Sequence, residues 1–388
     1  IINGNGKVVI DAKNQARVFD IQDGFTVTLR GITFINGNAL AGNGGSINSA
    51  GTLHIENCKF INNTAQGNGG AVYMGTSADD TITGSSFIGN VAGYNGGAVD
   101  WHAGSSDGEI SDSTFENNTA KHSGGAVYWN GHDGTIIHSN FTNNTAKNGG
   151  AIYVGANSVT ITKNNFTNNT AKNSGGAIYT NSSFSGGKIT SSDFTQNHAD
   201  YGGAIYAGSA GSGTSHIPIT GCTFTKNMAN YDGGAIYVAN SYYDIKSCNF
   251  DGNNASNGGA VYVATGLSGI KIKDSTFKNS YANEDGGAVY HAGPDLTLTI
   301  ENDTFIKNIA RYNGGAILYV TTAMKYRDYN NFDTRGVITS GRTDVDSIDL
   351  SDKNTTASQD DLEKVERTVY NNLGISKNIF NTDGNLSL

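Results

Sequence analysis

The chain has 388 residues with 53 Gly, only 2 Pro and 15% charged side chains. That is too little proline for a collagen-like or linker sequence and too little charge for a solvated, disordered one. A net charge of −9 without a basic block argues against a nucleic-acid partner, and no apolar run of roughly 18 residues is present to span a membrane.

Residues 1–28 contain the strand-like pieces "KVVIDA", "ARVFDI" and "FTVTL". They read as an incomplete N-terminal coil. Starting at Ile1 without Met, the sequence reads as a mature product or an excised segment. An open coil end is an exposed sheet edge, so either upstream sequence or these atypical strands should cover it.

From residue 29 to 320 one phrase recurs. "FTNNTAKNGGAIY" starts at Phe141 and "FTNNTAKNSGGAIY" at Phe166. Anchored on its Phe, the motif occurs at Phe34, Phe60, Phe87, Phe115, Phe141, Phe166, Phe194, Phe224, Phe250, Phe277 and Phe305, 25 to 30 residues apart. Five residues before the Phe stands Leu29, then Ile in every later copy. Three residues after it stands Asn, except for Gly37 and Ser280. Ala follows at the fifth position, then Gly-Gly, then Val or Ile one residue further on.

The apolar runs are short, β-branched and bounded by Gly, Asn, Ser and Asp, which is strand chemistry. Repeats of this length with variable insertions fit an all-β fold, a right-handed single-stranded parallel β-helix of about 11–12 coils. One coil cannot bury its own apolar face, so the phrase must repeat to make a core. On this reading Phe and Ile fill the interior, Asn bonds backbone and the next Asn at a corner, and Gly-Gly clears space where the chain bends. Cys58, Cys222 and Cys248 each lie two residues before a Phe. They have neither disulfide-framework nor zinc spacing and are expected to be reduced core thiols.

The strand ending each repeat carries the candidate binding residues. With the invariant Val or Ile inward, period-two alternation turns Ala and Tyr outward. That displays a ladder of Tyr73, Tyr128, Tyr153, Tyr179, Tyr206, Tyr237, Tyr262 and Tyr290, whose flat rings and polar tips suit a sugar chain, with Tyr128 to Tyr237 taken as the binding stretch. One repeat departs, reading Asp100-Trp101-His102, and Trp129 stands at the equivalent place one coil on. His122, His132 and Asp133 are near in sequence. Positions that break a repeat are where function tends to sit, so these residues form the tentative site, for a carbohydrate or a metal. Three alternatives stand beside it: the tryptophans close the interior at a strand end, the parity is reversed and the tyrosine rings are core, or the tyrosines only stack on each other. A polysaccharide hydrolase would want paired carboxylates, and the acids are scattered, so no catalytic residue is assigned. Asn-x-Ser/Thr matches, best at Asn181 and Asn354, give a weak glycosylation signal.

Residues 321–388 leave the repeat. "DVDSIDLSD" offers calcium ligands at Asp344, Asp346, Asp349 and Asp352 but lacks the glycine and glutamate of a hand-type loop, and reads as an acidic linker. The stripe Leu362, Val365, Val369, Leu373 before Gly374 predicts a helix near 359–373, a short cap on the last coil or a junction.

Phe-x-x-Asn with Gly-Gly-Ala-Ile/Val resembles the repeats of chlamydial polymorphic membrane proteins. "CTFTKNMANYDGGAIY" from Cys222 and "VTLRGITFINGNA" from Val27 resemble adhesin-like surface proteins of methanogenic archaea. The resemblance covers residues 1–320. It implies a secreted, extracellular cell-surface rod for attachment, a monomer or part of a longer chain, whose partner is a glycan or another cell's surface. The competing expectations are a polysaccharide lyase or glycoside hydrolase on the same scaffold, and a purely structural stalk.

Overall fold

The structure, a computed structural model, describes residues 1–75, 79–102, 104–208, 216–293, 298–319 and 379–380. It divides into two compact units, residues 1–200 with 204–210, and residues 201–203 with 211–388.

In the first unit every turn of chain visits three faces through short strands. Around Phe141, strand Thr135–Ile137 buries Ile136 and strand Asn140–Thr142 buries Phe141. Thr145–Asn148 then buries Ala146, and Ile152–Val154 buries Ile152 and Val154. The residues between them point outward, as strand geometry requires. All pairing is parallel, and like pairs with like: Ile110 with Ile136, Phe115 with Phe141, Val127 with Ile152. The Phe rings from Phe34 to Phe194 stack at 4.8–5.0 Å, within 11° of parallel. That is the strand spacing itself, so the core is a column of identical side chains.

The polar repeat residues also form columns. Asn63 Nδ2 donates to Asn90 Oδ1 at 2.9 Å, and the same bond runs through Asn118, Asn144, Asn169 and Asn197. Each Oδ1 also accepts a backbone N–H from the turn before, as Asn144 does from Asn118 at 3.0 Å. A second column lies two residues before each Phe, where Ser85, Ser113 and Ser139 hydroxyls accept the N–H of Cys58, Ser85 and Ser113. The cysteines are buried and unbridged.

Gly-Gly is explained by two separate demands. Gly124 has φ +66, and a Cβ on Gly125 would lie 2.0 Å from the Gly150 carbonyl oxygen of the next turn. The alternation expected for the next residue fails. Ala126 is buried, not outward, because Ala126 and Val127 both donate their N–H to the Ala151 carbonyl, at 2.9 and 3.0 Å. Two donors on one acceptor make a bend, and regular alternation starts only after it.

The start of this unit is a ten-residue strand, Ile2–Asp11, paired with Thr26–Ile35 and irregular between Asn3 and Val8. It leaves Ile1, Val9 and Phe25 exposed.

The second unit repeats the plan on Phe224, Phe250, Phe277 and Phe305, stacked at 4.5–5.0 Å. Asn227 donates to Asn253 Oδ1 at 3.0 Å. A two-residue strand, Ile379–Phe380, pairs in parallel with the strand of Phe305. All secondary structure among the described residues is strand. The helix expected near 359–373 and the acidic run at 344–352 lie outside them. No helix among the described residues is long and apolar enough to cross a membrane.

Candidate functional site

In the first unit the tyrosine column runs Tyr128, Tyr153, Tyr179, Tyr206. Successive centroids are 4.8, 5.0 and 4.8 Å apart and the planes lie within 10°. Each residue is half-buried and outward, between two buried neighbours on its strand. The outward parity expected for Tyr therefore holds. The second unit has its own column, Tyr237, Tyr262, Tyr290, at 4.9 and 5.1 Å.

Stacking changes what such a column can offer. Rings packed face to face hide their faces against one another and show solvent only edges and hydroxyls. A sugar ring seeking a flat apolar face finds none along the run. Burial also pushes the Tyr179 phenol up to about 12, with smaller contributions from Tyr206 and Tyr153, so its hydroxyl stays a donor.

The column is broken once inside the first unit. Asp100 pairs in register with Tyr73 on one side and Tyr128 on the other. A short side chain stands where a ring would be, so Tyr128 has a ring against only one of its faces. The neighbouring face of Tyr73 meets the His102 imidazole, tilted by 39° at 5.5 Å. His102 is exposed, and its backbone N–H is held by the Met74 carbonyl at 2.9 Å.

Asp100 itself is fully buried, and neither carboxylate oxygen has a hydrogen-bond partner. Burial pushes its carboxyl well above the usual carboxylate range. Its charge would act on both neighbours: burial first, then Asp100, pushes the Tyr73 phenol up to about 12. Tyr128 is also raised to about 12, by burial, Tyr153 and Asp100 in that order.

The two tryptophans face the other way. Trp101 and Trp129 have no exposed surface and stack at 4.3 Å. Each indole lies over a glycine of the following loop: a Cβ on Gly108 or Gly134 would come within 2.3 or 2.0 Å of the ring. Trp129 Nε1 donates to the Gly131 carbonyl at 2.8 Å. They close the interior at a strand end, one of the alternatives read from the sequence, and present no ring to a ligand.

The nearby histidines do not converge. His122 stacks on Tyr94 at 5.3 Å at the bend before Gly-Gly, and His132 bonds Asn157 Oδ1 at 2.6 Å in the loop after Trp129. Asp133 is exposed in that same loop with φ 53. No group of three or more metal-type side chains is present among the described residues.

The structure thus brings Tyr73, Asp100, His102 and Tyr128 together, and sets Trp101 and Trp129 behind them. Tyr73 was the residue the sequence reading left out of its site. The signal was there, since Tyr73 is the first of the eight ladder tyrosines and borders the odd coil on its other side.

No curated protein and no solved structure matches this chain. The family model for the right-handed beta helix region matches residues 43–214 and 125–305, together well over half of the sequence. Stacked parallel strands, in-register columns and a repeat of about 27 residues agree with that match, and the handedness read from the sequence agrees with it too. Such a fold accommodates an adhesin, a polysaccharide-cleaving enzyme or a stalk. The chain belongs to the right-handed beta helix family.

Proposed function

We propose that this protein is an extracellular, adhesin-like binding solenoid that holds a glycan of a cell surface or matrix at the break in its tyrosine column. The observation that carries the reading is the gap at Asp100. It is the place in the first unit's column where Tyr128 has no ring stacked on one of its faces and Tyr73 meets only the tilted His102 imidazole. A saturated ring with one apolar face would pack against the uncovered face of Tyr128, and the raised phenols of Tyr73 and Tyr128 stay hydrogen-bond donors beside it. The resemblance of the repeats to adhesin-like surface proteins points the same way.

Binding without turnover is the expected chemistry. A hydrolase needs two carboxyl groups facing one bond, roughly 5–9.5 Å apart, and burial, not a second acid, raises Asp100. The test is a glycan array read with the wild-type chain, Tyr128→Ala and Tyr153→Ala, alongside reducing-sugar release and absorbance of unsaturated uronides. A ligand lost in Tyr128→Ala but kept in Tyr153→Ala supports the gap. Turnover of any polysaccharide replaces this reading with the enzyme, and silence on the array leaves the stalk.

A further inference from the structure

We infer that the gap recognises an ammonium group, so that its glycan carries a free amine, as a de-N-acetylated amino sugar does. The inference rests on the binding reading above and specifies its ligand class.

A buried carboxyl group with neither oxygen bonded is expensive. Leaving a buried polar group without a partner costs about 1–3 kcal/mol, and more for a charge. Native proteins rarely keep such a group without a use. Here it replaces a tyrosine that would have continued a well-stacked column, so the sequence forgoes ring stacking as well.

What the group lacks is a donor, and its surroundings favour a cationic one. The in-register side chains of the two adjacent strands are Tyr73 and Tyr128, and a cation over a tyrosine ring face is attracted by the ring quadrupole. His102, on the same strand end, is exposed and touches only Tyr73 among the rings. Asp100 has no exposed surface, so its cover has to move first, and an exposed side chain such as His102 turns on the ordinary rotamer timescale. An ammonium entering between the rings then meets the carboxyl at the base. Where the amine arrives as ammonium, the Asp100 O–H bond gives its proton to solvent as the ion pair forms; where it arrives neutral, that proton passes to its nitrogen.

Calorimetry with the full chain tests this, using a chitosan oligosaccharide against its N-acetylated counterpart. Cyclohexylammonium, a ring with an ammonium and no hydroxyls, is the third probe. The expected result is preference for the free amine and an enthalpy that changes with buffer, reporting proton release. Affinity should rise with pH until the ammonium itself deprotonates. Asp100→Asn should lose roughly tenfold or more in affinity together with the proton release. Asp100→Tyr, which restores the column, should abolish binding while the fold stays intact by melting temperature. Equal binding of both oligosaccharides, with Tyr128 still required, would overturn the ammonium while leaving the glycan reading in place. Binding of cyclohexylammonium with proton release but of no glycan would do the reverse. Unchanged affinity in Asp100→Asn rules the inference out.

Discussion

The pair Asn117-Asn118 shows how differently two identical neighbours can be used. Asn118 is buried in the amide column: its Oδ1 accepts the Asn90 N–H and Nδ2. Its Nδ2 reaches the Phe87 carbonyl and Asn144 Oδ1, each at 3.0 Å. Asn117 is exposed with φ 55 and supplies a left-handed corner, for which Asn is among the few tolerated residues. Asn118→Ala should cost about 3 kcal/mol or more, because several buried groups lose partners at about 1–3 kcal/mol each. Asn117→Ala should cost only about 1–2 kcal/mol, and Asn117→Gly less. Urea midpoints of the three variants check the order. The stacking role of the second Asn could be read from the repeat. The turn role of the first could not, since a backbone angle leaves no mark that separates two adjacent asparagines. Asp303 gives a pH-dependent case. Burial raises its carboxyl to about 7 from 3.8, against the pull of the Ser275 and Glu301 N–H groups. The folded state then keeps a proton that the unfolded state gives up between those values, so stability falls as pH rises through that window. Asp303→Asn should flatten that part of the curve, measured as melting temperature against pH.

Among the elements, the bends set the tolerances. Gly125→Ala would push a Cβ to 2.0 Å from a backbone oxygen of the next turn. Backbone cannot swing aside as a side chain can, so a loss of several kcal/mol, or failure to fold, is expected. Gly252, by contrast, has a positive φ, and the nearest atom to its added Cβ is Lys226 Cγ at 3.5 Å. Gly252→Ala should therefore cost only the strain of about 1–2 kcal/mol, and thermal melts of both variants separate the two uses of glycine. The face of each strand was legible where alternation is unbroken, as for Ile152, Tyr153 and Val154. It failed at Ala126 because a bend, invisible to a period-two count, precedes the strand. The gap was legible as an odd coil, since Asp100 breaks a run of tyrosines. That its carboxyl would be sealed under its neighbours was not, because cover depends on how far adjacent rings lean, which spacing does not encode. The same limit put the tryptophans in the expected site: two large aromatics in adjacent coils look alike whether they point in or out.

Within each unit, the strand ladders run between neighbouring turns, and stability should sum over turns and their contacts. Within the first unit, Asn63→Ala and Asn169→Ala lie four turns apart. Their effects should add to within about 0.5 kcal/mol, whereas Asn118→Ala with Asn144→Ala, which share a bond, should deviate by about 0.5–3 kcal/mol. Denaturation of the single and double variants decides it. One further property follows from the amide column. Every amide-to-amide bond from Asn63 to Asn197 is donated forward, toward the later turn. Such a chain has a head and a tail, like a polymer of identical monomers. A gene segment encoding one whole turn can be copied and spliced between any two others, and every donor still meets an acceptor. A fragment of a turn inserted at the same place would break that sequence of bonds. The near-verbatim phrases at Phe141 and Phe166 are what growth by whole monomers would leave behind.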